Sequence, residues 1–407
     1  MVIGKNISKT IIMANRKIAI ITPALLPVPA IQSGGIEQLI ENIINQNEID
    51  QRVTFTIISA YSPLTKNLEK TYKFTNFKNV HYSFIGRCFN FIDRKLVSRL
   101  RNKPHIHWGI LQMMRIVRKN NFDKVVLFGN DFQIAPIAMI IEKEKIIYYQ
   151  ATLMLQKSAD FLLCDKIFVG SNHSKESILN HNKKLVPNNI KLIQSGIDIN
   201  YFVKSNSNDL RLTFKIKNDV PTIGYLGRIV ASKGVVELLK AALLIKDEAN
   251  FRLVLMGTYG SNFGGKRQNY DLKEETEIKK MVEALGSKCI VTGFVSNEVL
   301  PAFISGIDIG VVPSIVEDVS PLTYFQYQAM HTPTIVSDAG GIPEFFSPNY
   351  SIMVQRGENM SEEIANALRL LLNDETLRTN MSNNLKANRE VLGVKRYYDN
   401  FIDLVTA

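Results

Sequence analysis

PTIGYLGRIVASKGVVELLKAA (residues 221–242) reads as three things in succession: an apolar, β-branched run, a turn holding glycine and two cations, and a stretch with apolar residues at helical spacing. That succession is the repeating unit of a strand followed by a covering helix. It recurs along the chain. KIAIITPA (17–24), VTFTIISA (53–60), KVVLFGN (124–130), KIIYYQ (145–150), KIFVGS (166–171) and IKLIQSG (190–196) precede it, and FRLVLMGT (251–258), CIVTGF (289–294), IGVVPS (309–314) and PTIVSDAGG (333–341) follow. Strands that are apolar on both faces and alternate with helices predict a parallel sheet covered on both sides. The pattern runs twice, so the fold class expected is α/β with two doubly wound domains, over 16–202 and 220–385. The polar, Asn/Ser-rich stretch VKSNSNDLRLTFKIKND (203–219) reads as a linker between them. Residues 386–407 read as a C-terminal helix returning towards the first domain.

Composition agrees with a well-buried globular protein: of 407 residues, 45% are hydrophobic and 21% charged, which excludes a disordered chain. Cys88, Cys164 and Cys289 are far apart and odd in number, so neither a disulfide framework nor a zinc site is expected, and the six scattered histidines make no metal cluster. A reducing, cytoplasmic setting fits. No apolar run reaches the length of a membrane span, and the start, MVIGKNISKTIIMANRKIAIITPA, lacks a signal-peptide cleavage pattern, so residues 1–15 read as an extension before the first strand. Charge is uneven: Lys and Arg number 27 against 14 Asp and Glu in residues 1–200, and 22 against 24 in residues 201–407. The first half carries the whole positive excess, which points to a polyanionic partner.

Open α/β sheets bind ligands outside the carboxyl ends of their strands, so the loops there hold the candidates. After the first strand, Gly34 and Gly35 precede an amphipathic helix with Ile36, Leu39, Ile40, Ile43 and Ile44 on its apolar face. The G-x-G-x-x-G spacing is missing, which argues against a dinucleotide site of that type. Arg228 sits at the end of the strand, just past 221–226, and Lys233 follows five residues later, just before Gly234. Two such cations either converge on a diphosphate or sit on a solvated loop. In SDAGGIPEFF (337–346), Gly340 and Gly341 stand between an apolar strand (Thr334 to Val336) and a helix expected from Pro343. Glycine there either lets a ligand approach free amides or serves a plain turn.

Several of these segments together resemble the retaining glycosyltransferases of family 4 with the GT-B fold, the group 1 type of bacterial exopolysaccharide, capsule and lipopolysaccharide synthesis. They are GGIE (34–37), GRIVASKG (227–234), VLMGTYG (254–260), VTGFVSNEVLPAFISGIDIGVVPS (291–314) and TPTIVSDAGGIPE (332–344), with IQSGIDINYF (193–202) similar to the segment that leaves the first domain. The resemblance implies two Rossmann-like domains facing across a cleft, with the sugar nucleotide held by the second and the acceptor by the first. It also implies that Arg228 and Lys233 hold the donor diphosphate, and that Gly34, Gly35, Asp318, Ser320, Leu322, Gln326, Gly340, Gly341 and Glu344 contribute to donor binding. A UDP-sugar is favoured over a GDP-sugar, the acceptor is a glycan or lipid-linked glycan, and no cofactor or metal is expected, since no Asp-x-Asp motif occurs.

The chain also departs from the family. Two glutamates with seven residues between them fall here on Asp318 and Gln326, the glycine before Thr332-Pro333 is His331, and a histidine of the first domain is replaced by Gln150, followed by Ala151. Gln326 still accepts hydrogen bonds from hydroxyls but brings no charge. His331 reads as a packed or pocket-lining imidazole rather than a base. In FGNDFQ (128–133), Asn130 and Asp131 lie on the acceptor side. Asp131 reads either as the acid that serves the acceptor hydroxyl or as the N-cap of a helix through Ile134 and Ile137.

Residues 87–119, RCFNFIDRKLVSRLRNKPHIHWGILQMMRIVRK, hold nine Lys/Arg and one Asp among Phe89, Phe91, Ile92, Leu96, Trp108 and Met113. That composition suits an anionic membrane face, an RNA patch, or two ordinary helices with basic outer faces. The resemblance favours the membrane, and no nucleic acid is expected. The reading is therefore a cytoplasmic hexosyltransferase, peripheral on the inner face of the cell membrane. Its rivals are a catalytically silent GT-B homologue that binds glycan or stabilises a partner transferase, motivated by Gln150 and Gln326, and a GT-B epimerase.

Overall fold

Every strand segment quoted above forms a strand in the computed structural model, which describes residues 16–31, 34–81, 108–129, 131–151, 159–204, 209–260, 262–263, 266–267 and 272–407. In the first unit these are β1 (Lys17–Ile21), β2 (Thr54–Ala60), β3 (Thr75–Val80), β4 (Lys124–Phe128), β5 (Ile146–Gln150), β6 (Lys166–Val169) and β7 (Ile190–Leu192). They make one sheet in the order β3-β2-β1-β4-β5-β6-β7, parallel throughout. The second unit holds β8 (Thr222–Leu226), β9 (Arg252–Met256), the small hairpin β10 (Asn262–Phe263) and β11 (Lys266–Arg267), then β12 (Cys289–Gly293), β13 (Ile309–Val312), β14 (Thr334–Ser337) and β15 (Ser351–Val354). Its main sheet runs β12-β9-β8-β13-β14-β15, again all parallel. Both sheets thus reverse their strand order once, between β1 and β4 and between β8 and β13. These switch points are where a Rossmann-like sheet opens a crevice.

Burial on both faces explains why the strands read as apolar runs. In the second sheet Ile223, Tyr225, Leu253, Leu255, Ile309 and Val311 face the helices Val235–Leu244 and Met360–Asn373. Their neighbours Val254, Met256, Val312 and Val336 face Tyr324 and Tyr327 of the helix Leu322–Ala329. Alternation along each strand sends successive side chains to opposite layers, and both layers are buried. In the first sheet one face meets Met113 and Val117 of the helix Trp108–Lys119. On the other face Phe55, Phe128, Tyr149 and Phe168 surround Phe401 of the helix Val394–Thr406, with ring centroids 6.1 to 6.5 Å away. β3 and β15 have no counterpart in the expected strands. Each is an edge strand covered only in part, so neither needs a continuous apolar run.

The chain divides into residues 1–194 with 395–407, and residues 195–394. The stretch 203–219 is therefore no linker. Leu210 of its helix Asp209–Thr213 is fully buried, and Arg211 donates to Asp308 Oδ2 (2.6 Å) and to the Lys217 and Val220 carbonyls. Residues 195–202 also belong to the second unit, because Ile197 exchanges backbone hydrogen bonds with Leu392 and Val394 (2.9 Å each). Polar composition misled here: a few buried anchors carry the segment.

Most of the basic stretch, residues 87–107 with Phe89, Phe91, Ile92 and Leu96, lies outside the described residues. Its last part is the helix Trp108–Lys119, in which Met113 belongs to the core while Arg115, Arg118 and Lys119 are exposed. Met113 is thus unavailable to a membrane. Among the described residues no helix is long and apolar enough to cross one.

Candidate functional site

At the carboxyl edge of the second sheet, the loops after β8 and β13 flank the switch point and are hydrogen-bonded to each other. Ser232 accepts from the backbone amides of Ile315 and Val316 (3.2 Å each). Lys233, in the single 3-10 turn Ala231–Lys233, places Nζ 2.9 Å from both carboxylate oxygens of Asp318. Ser314 Oγ donates to Asp318 Oδ2 (2.5 Å), and Ser337 Oγ at the end of β14 donates to the Ser314 carbonyl (2.7 Å). The turn that carries Lys233 is pinned from outside by Glu274, whose Oε1 accepts from the Ala231 amide (2.7 Å). Sequence reading gave Lys233 and Asp318 separate roles; the fold makes them one ion pair.

The glycine pair has a concrete purpose. Gly340 has φ +57°, and a Cβ there would stand 2.3 Å from the carbonyl oxygen and 2.6 Å from the amide nitrogen of Asp318. The neighbouring Gly341 amide donates to the Asp318 carbonyl (2.7 Å). The close approach these glycines permit is therefore that of loop to loop, and the Gly341 N–H is already engaged. The helix expected from Pro343 is only the single 3-10 turn Ile342–Phe345, with Phe346 extended. Pro348 disfavours a helical conformation at the residue before it, which stops continuation.

A second layer escaped the sequence reading. Arg356, just beyond β15, donates through Nε to Asp338 Oδ1 (3.0 Å) and through Nη1 to Glu317 Oε1 and the Ile315 carbonyl (2.9 Å each). Burial alone would lower its pKa, but the hydrogen bonds to Glu317 and Asp338 outweigh that and hold it above the ordinary value. Arg356 so ties the loop bearing Asp318 to the end of β14. No local signal could have marked it, since its partners lie 18 to 41 residues away.

The other expected residues of this unit lie as follows. Arg228 is exposed, and its carbonyl accepts from Tyr225 Oη (2.5 Å). Burial raises the Tyr225 pKa, the Arg228 charge lowers it and the Asp318 charge raises it, so the three share one electrostatic neighbourhood. Ser320 Oγ is shut off from solvent with no hydrogen-bond partner among the described residues. Leu322 opens the helix Leu322–Ala329, on which Gln326 is 9% exposed, and Glu344 is exposed on the turn after Gly341. His331 has φ +55°, the left-handed conformation that a glycine would take without strain.

Gly34, Gly35, Asp131 and Gln150 belong to the first unit. Gly34 is the N-cap of the helix Gly35–Asp50, and the space where its Cβ would stand is filled by the Glu37 carboxylate, 2.2 Å away. Burial pushes the Glu37 pKa up to about 7. Asp131 opens a 3-10 turn, and the helix Ile134–Ala138 is preceded by Gln133, so the N-cap reading of Asp131 does not hold. Gln150 is 2% exposed with Oε1 unpartnered among the described residues, as is Oε1 of the likewise buried Gln133, whose Nε2 donates to the Thr22 carbonyl (2.9 Å). Asn130 lies outside the described residues.

Chemically, the second unit presents an exposed guanidinium and an ammonium, held on loops that cross-brace one another at a strand edge. Lys233 Nζ lies within hydrogen-bond distance of both Asp318 oxygens, and an ammonium carries three N–H donors. No group of three or more His, Cys, Asp or Glu able to hold a metal occurs among the described residues.

Comparison with known proteins bears on the same unit. Residues 207–388 match the family described as Glycosyl transferases group 1. Over 157 residues the chain is 26% identical to the lipopolysaccharide 1,2-N-acetylglucosaminetransferase of Salmonella typhimurium, covering 38% of this chain and 40% of that one. Over 223 residues it is 27% identical to the N,N'-diacetylbacillosaminyl-diphospho-undecaprenol alpha-1,3-N-acetylgalactosaminyltransferase of Campylobacter jejuni, covering 53% and 54%. The chain thus spans about half or less of the length of these two curated relatives. Among solved structures, Anabaena HepE in complex with UDP-glucose aligns with a TM-score of 0.74 over 96% of this chain and 99% of that one, at 15% identity. WaaG, a glycosyltransferase of lipopolysaccharide biosynthesis, aligns at 0.68 over 96% and 100%, at 13% identity. The fold is that of the GT-B proteins: two Rossmann-like parallel sheets of seven and six strands.

Proposed function

With a group 1 glycosyl transferase domain over residues 207–388 as premise, we propose that this protein is a metal-independent, retaining hexosyltransferase. It takes a nucleotide sugar, a UDP-sugar in preference to a GDP-sugar, and adds the hexose to a lipid-linked or cell-surface glycan. The observation that carries the reading is the Lys233–Asp318 pair braced beside Arg228 at the switch point of the second sheet. Support comes from HepE, whose structure holds UDP-glucose, and from the Campylobacter relative, named for a diphospho-undecaprenol acceptor.

As the bond between the anomeric carbon and the diphosphate oxygen breaks, negative charge grows on the leaving group. Arg228 and Lys233 meet that charge with donors already in position, and Asp318 with Ser314 keeps the ammonium aimed. Gln326 offers a neutral partner to hydroxyls of the donor, and Ser320 lies on the loop before its helix. The acceptor hydroxyl attacks from the face the diphosphate leaves, and its proton passes to the departing phosphate oxygen, so configuration is retained without a protein nucleophile. Asp131, Asn130 and Gln150 serve the acceptor side.

The test is a binding screen of purified protein against UDP- and GDP-sugars, followed by mass spectrometry of a lipid-linked acceptor incubated with the hit. Loss of transfer on adding EDTA would remove the metal-independent mechanism. The silent-homologue reading keeps one observation in its favour, the neutral Gln326 and Gln150 in place of the family's glutamate and histidine. Wild-type turnover refutes it; a dead wild type revived only by Gln326→Glu supports it.

Residues 87–119 place the protein on the cytoplasmic face of a membrane through their basic side chains. Vesicle binding that rises with anionic lipid and falls with salt is expected, weakened by replacing Arg94, Lys95, Arg99 and Arg101 with Gln. Equal binding to neutral vesicles would remove this part.

A further inference from the structure

The amino edge of the second sheet, opposite the Lys233–Asp318 pair, gathers a different set of cations. Arg389 follows the helix Glu375–Ala387 and stitches three chain segments together. Its Nε donates to the Ala329 carbonyl (3.1 Å), and its Nη2 donates to the carbonyls of Ile199 and Phe202 (2.8 Å for Phe202). Those contacts bring together residues that are remote in sequence. Lys204 lies two residues beyond Phe202, His331 two beyond Ala329, and Lys386 about one helical turn before Arg389. The hydrogen bonds of Arg389 run through Nε and Nη2, and His331 Nε2 is shut off from solvent with no partner among the described residues. Burial lowers the His331 pKa, and Arg389, Lys204 and Lys386 lower it further. The Asp308 carboxylate, whose charge acts on Lys204, is already engaged by Arg211 (2.6 Å) and the Thr222 amide (2.7 Å).

Like charges gathered around an imidazole repel one another, and an anion set among them removes that cost. We propose that Lys204, Lys386 and Arg389 form an anion site beside His331 at the amino edge of the second sheet, for a phosphate group. The site is separate from the one proposed for the donor, because His331 precedes β14 whereas Asp318 follows β13 in a parallel sheet. Arg389 Nη1 supplies a guanidinium donor and the two lysines supply mobile ammonium groups, while His331, whose Nε2 is shut off from solvent, lies beside them and reports on the site. The phosphate comes either free in solution or on a lipid headgroup.

The experiment follows the ring resonances of His331 in histidine-labelled full-length protein while inorganic phosphate is added at constant ionic strength. A saturable shift is expected in the wild type and equally in Arg228→Ala/Lys233→Ala, which removes the two cations proposed for the donor. In Lys204→Gln/Lys386→Gln the apparent affinity should fall about tenfold or more, as for loss of at least 1.4 kcal/mol of binding. A parallel arm uses vesicles of phosphatidic acid in phosphatidylcholine against phosphatidylcholine alone. A response to the vesicles without one to free phosphate assigns the headgroup as the source; the reverse assigns a soluble phosphate. No saturable shift in either arm overturns the site, and so does a wild-type affinity in the Lys204→Gln/Lys386→Gln protein. Because the readout is binding at His331, failure of the glycosyltransferase reading leaves this test intact.

Discussion

Lys233 Nζ lies 2.9 Å from both carboxylate oxygens of Asp318, and Ser314 Oγ holds one of those oxygens from 2.5 Å. The cation proposed to meet the donor diphosphate is thus aimed by residues from another loop.

Removing a preorganised donor to developing charge costs ~10²–10³ in turnover, roughly 2.7–4 kcal/mol of barrier. Arg228→Ala and Lys233→Ala should each show that loss in kcat, with folding unchanged by circular dichroism, because a loop cation contributes little to the core. Added manganese should rescue neither. Near-normal transfer by both variants would place the diphosphate elsewhere.

Asp318→Asn keeps the shape of the side chain while removing its charge, so Lys233 loses its ionic anchor but no space opens. Turnover should fall by about tenfold, on the order of 1.4 kcal/mol, and Arg356→Ala, which loosens the same loop through Glu317, should fall in the same direction. Steady-state kinetics of the two variants decide it. An Asp318→Asn enzyme faster than wild type would mean that the carboxylate restrains Lys233 rather than aiming it.

Gly340→Ala brings a methyl within 2.3 Å of the Asp318 carbonyl oxygen at a backbone φ of +57°. Backbone is the obstacle, so no rotamer change relieves it. Overpacking and a non-glycine left-handed residue each cost about 1–3 kcal/mol. A lower urea midpoint together with weaker nucleotide-sugar binding is expected, and an alanine variant equal to wild type in both would contradict the loop-to-loop packing.

Glu37 titrates from its ordinary 4.5 to about 7 because burial disfavours its charged form. Between those values the folded protein holds a proton that the unfolded chain has released, so stability is full below about 4.5 and declines as pH rises to about 7. The shift corresponds to on the order of 3 kcal/mol. Glu37→Gln should remove this decline and raise the thermal midpoint at pH 8. Parallel stability–pH curves for the two proteins over that interval would show that the carboxyl ionises freely in the fold.

Phe401 is the aromatic around which Phe55, Phe128, Tyr149 and Phe168 pack, and it belongs to a helix that returns from the far end of the chain. Phe401→Ala should cost about 3–5 kcal/mol, a core truncation with a residual cavity. Chemical denaturation checks it, and a change below about 1 kcal/mol would mean that this helix docks loosely.

The strand edges show where reading residues in order succeeds and where it stops. KVVLF and TIGYL are apolar at every or nearly every position because both faces of an interior parallel strand are covered, and that leaves a mark in composition. TNFKNV at β3 and SIMV at β15 lie at sheet edges, where partial cover leaves a weaker mark. The polar run 203–219 looks like a linker because most of its residues face water. Its anchoring rests on Leu210 and on the Arg211–Asp308 pair. Lys233, Asp318, Gly340 and Gly341 were legible as candidates, yet their mutual contacts were not, and Arg356 and Ser314 were not legible at all.

By itself the sequence determined the α/β class, the two parallel sheets and the loops in which charge and glycine collect, since periodicity and local turn chemistry act over a few residues. Only the tertiary structure decided which of those loops meet. It put Lys233 on Asp318, 85 residues away, filled the space beside Gly34 with Glu37, and gathered Lys204, His331 and Arg389 at the opposite edge. Strand order is the physical reason. Two loops become neighbours when the strands beneath them pair, and the pairing of β8 with β13 across a switch point depends on the packing of the whole sheet and the helices that cover it.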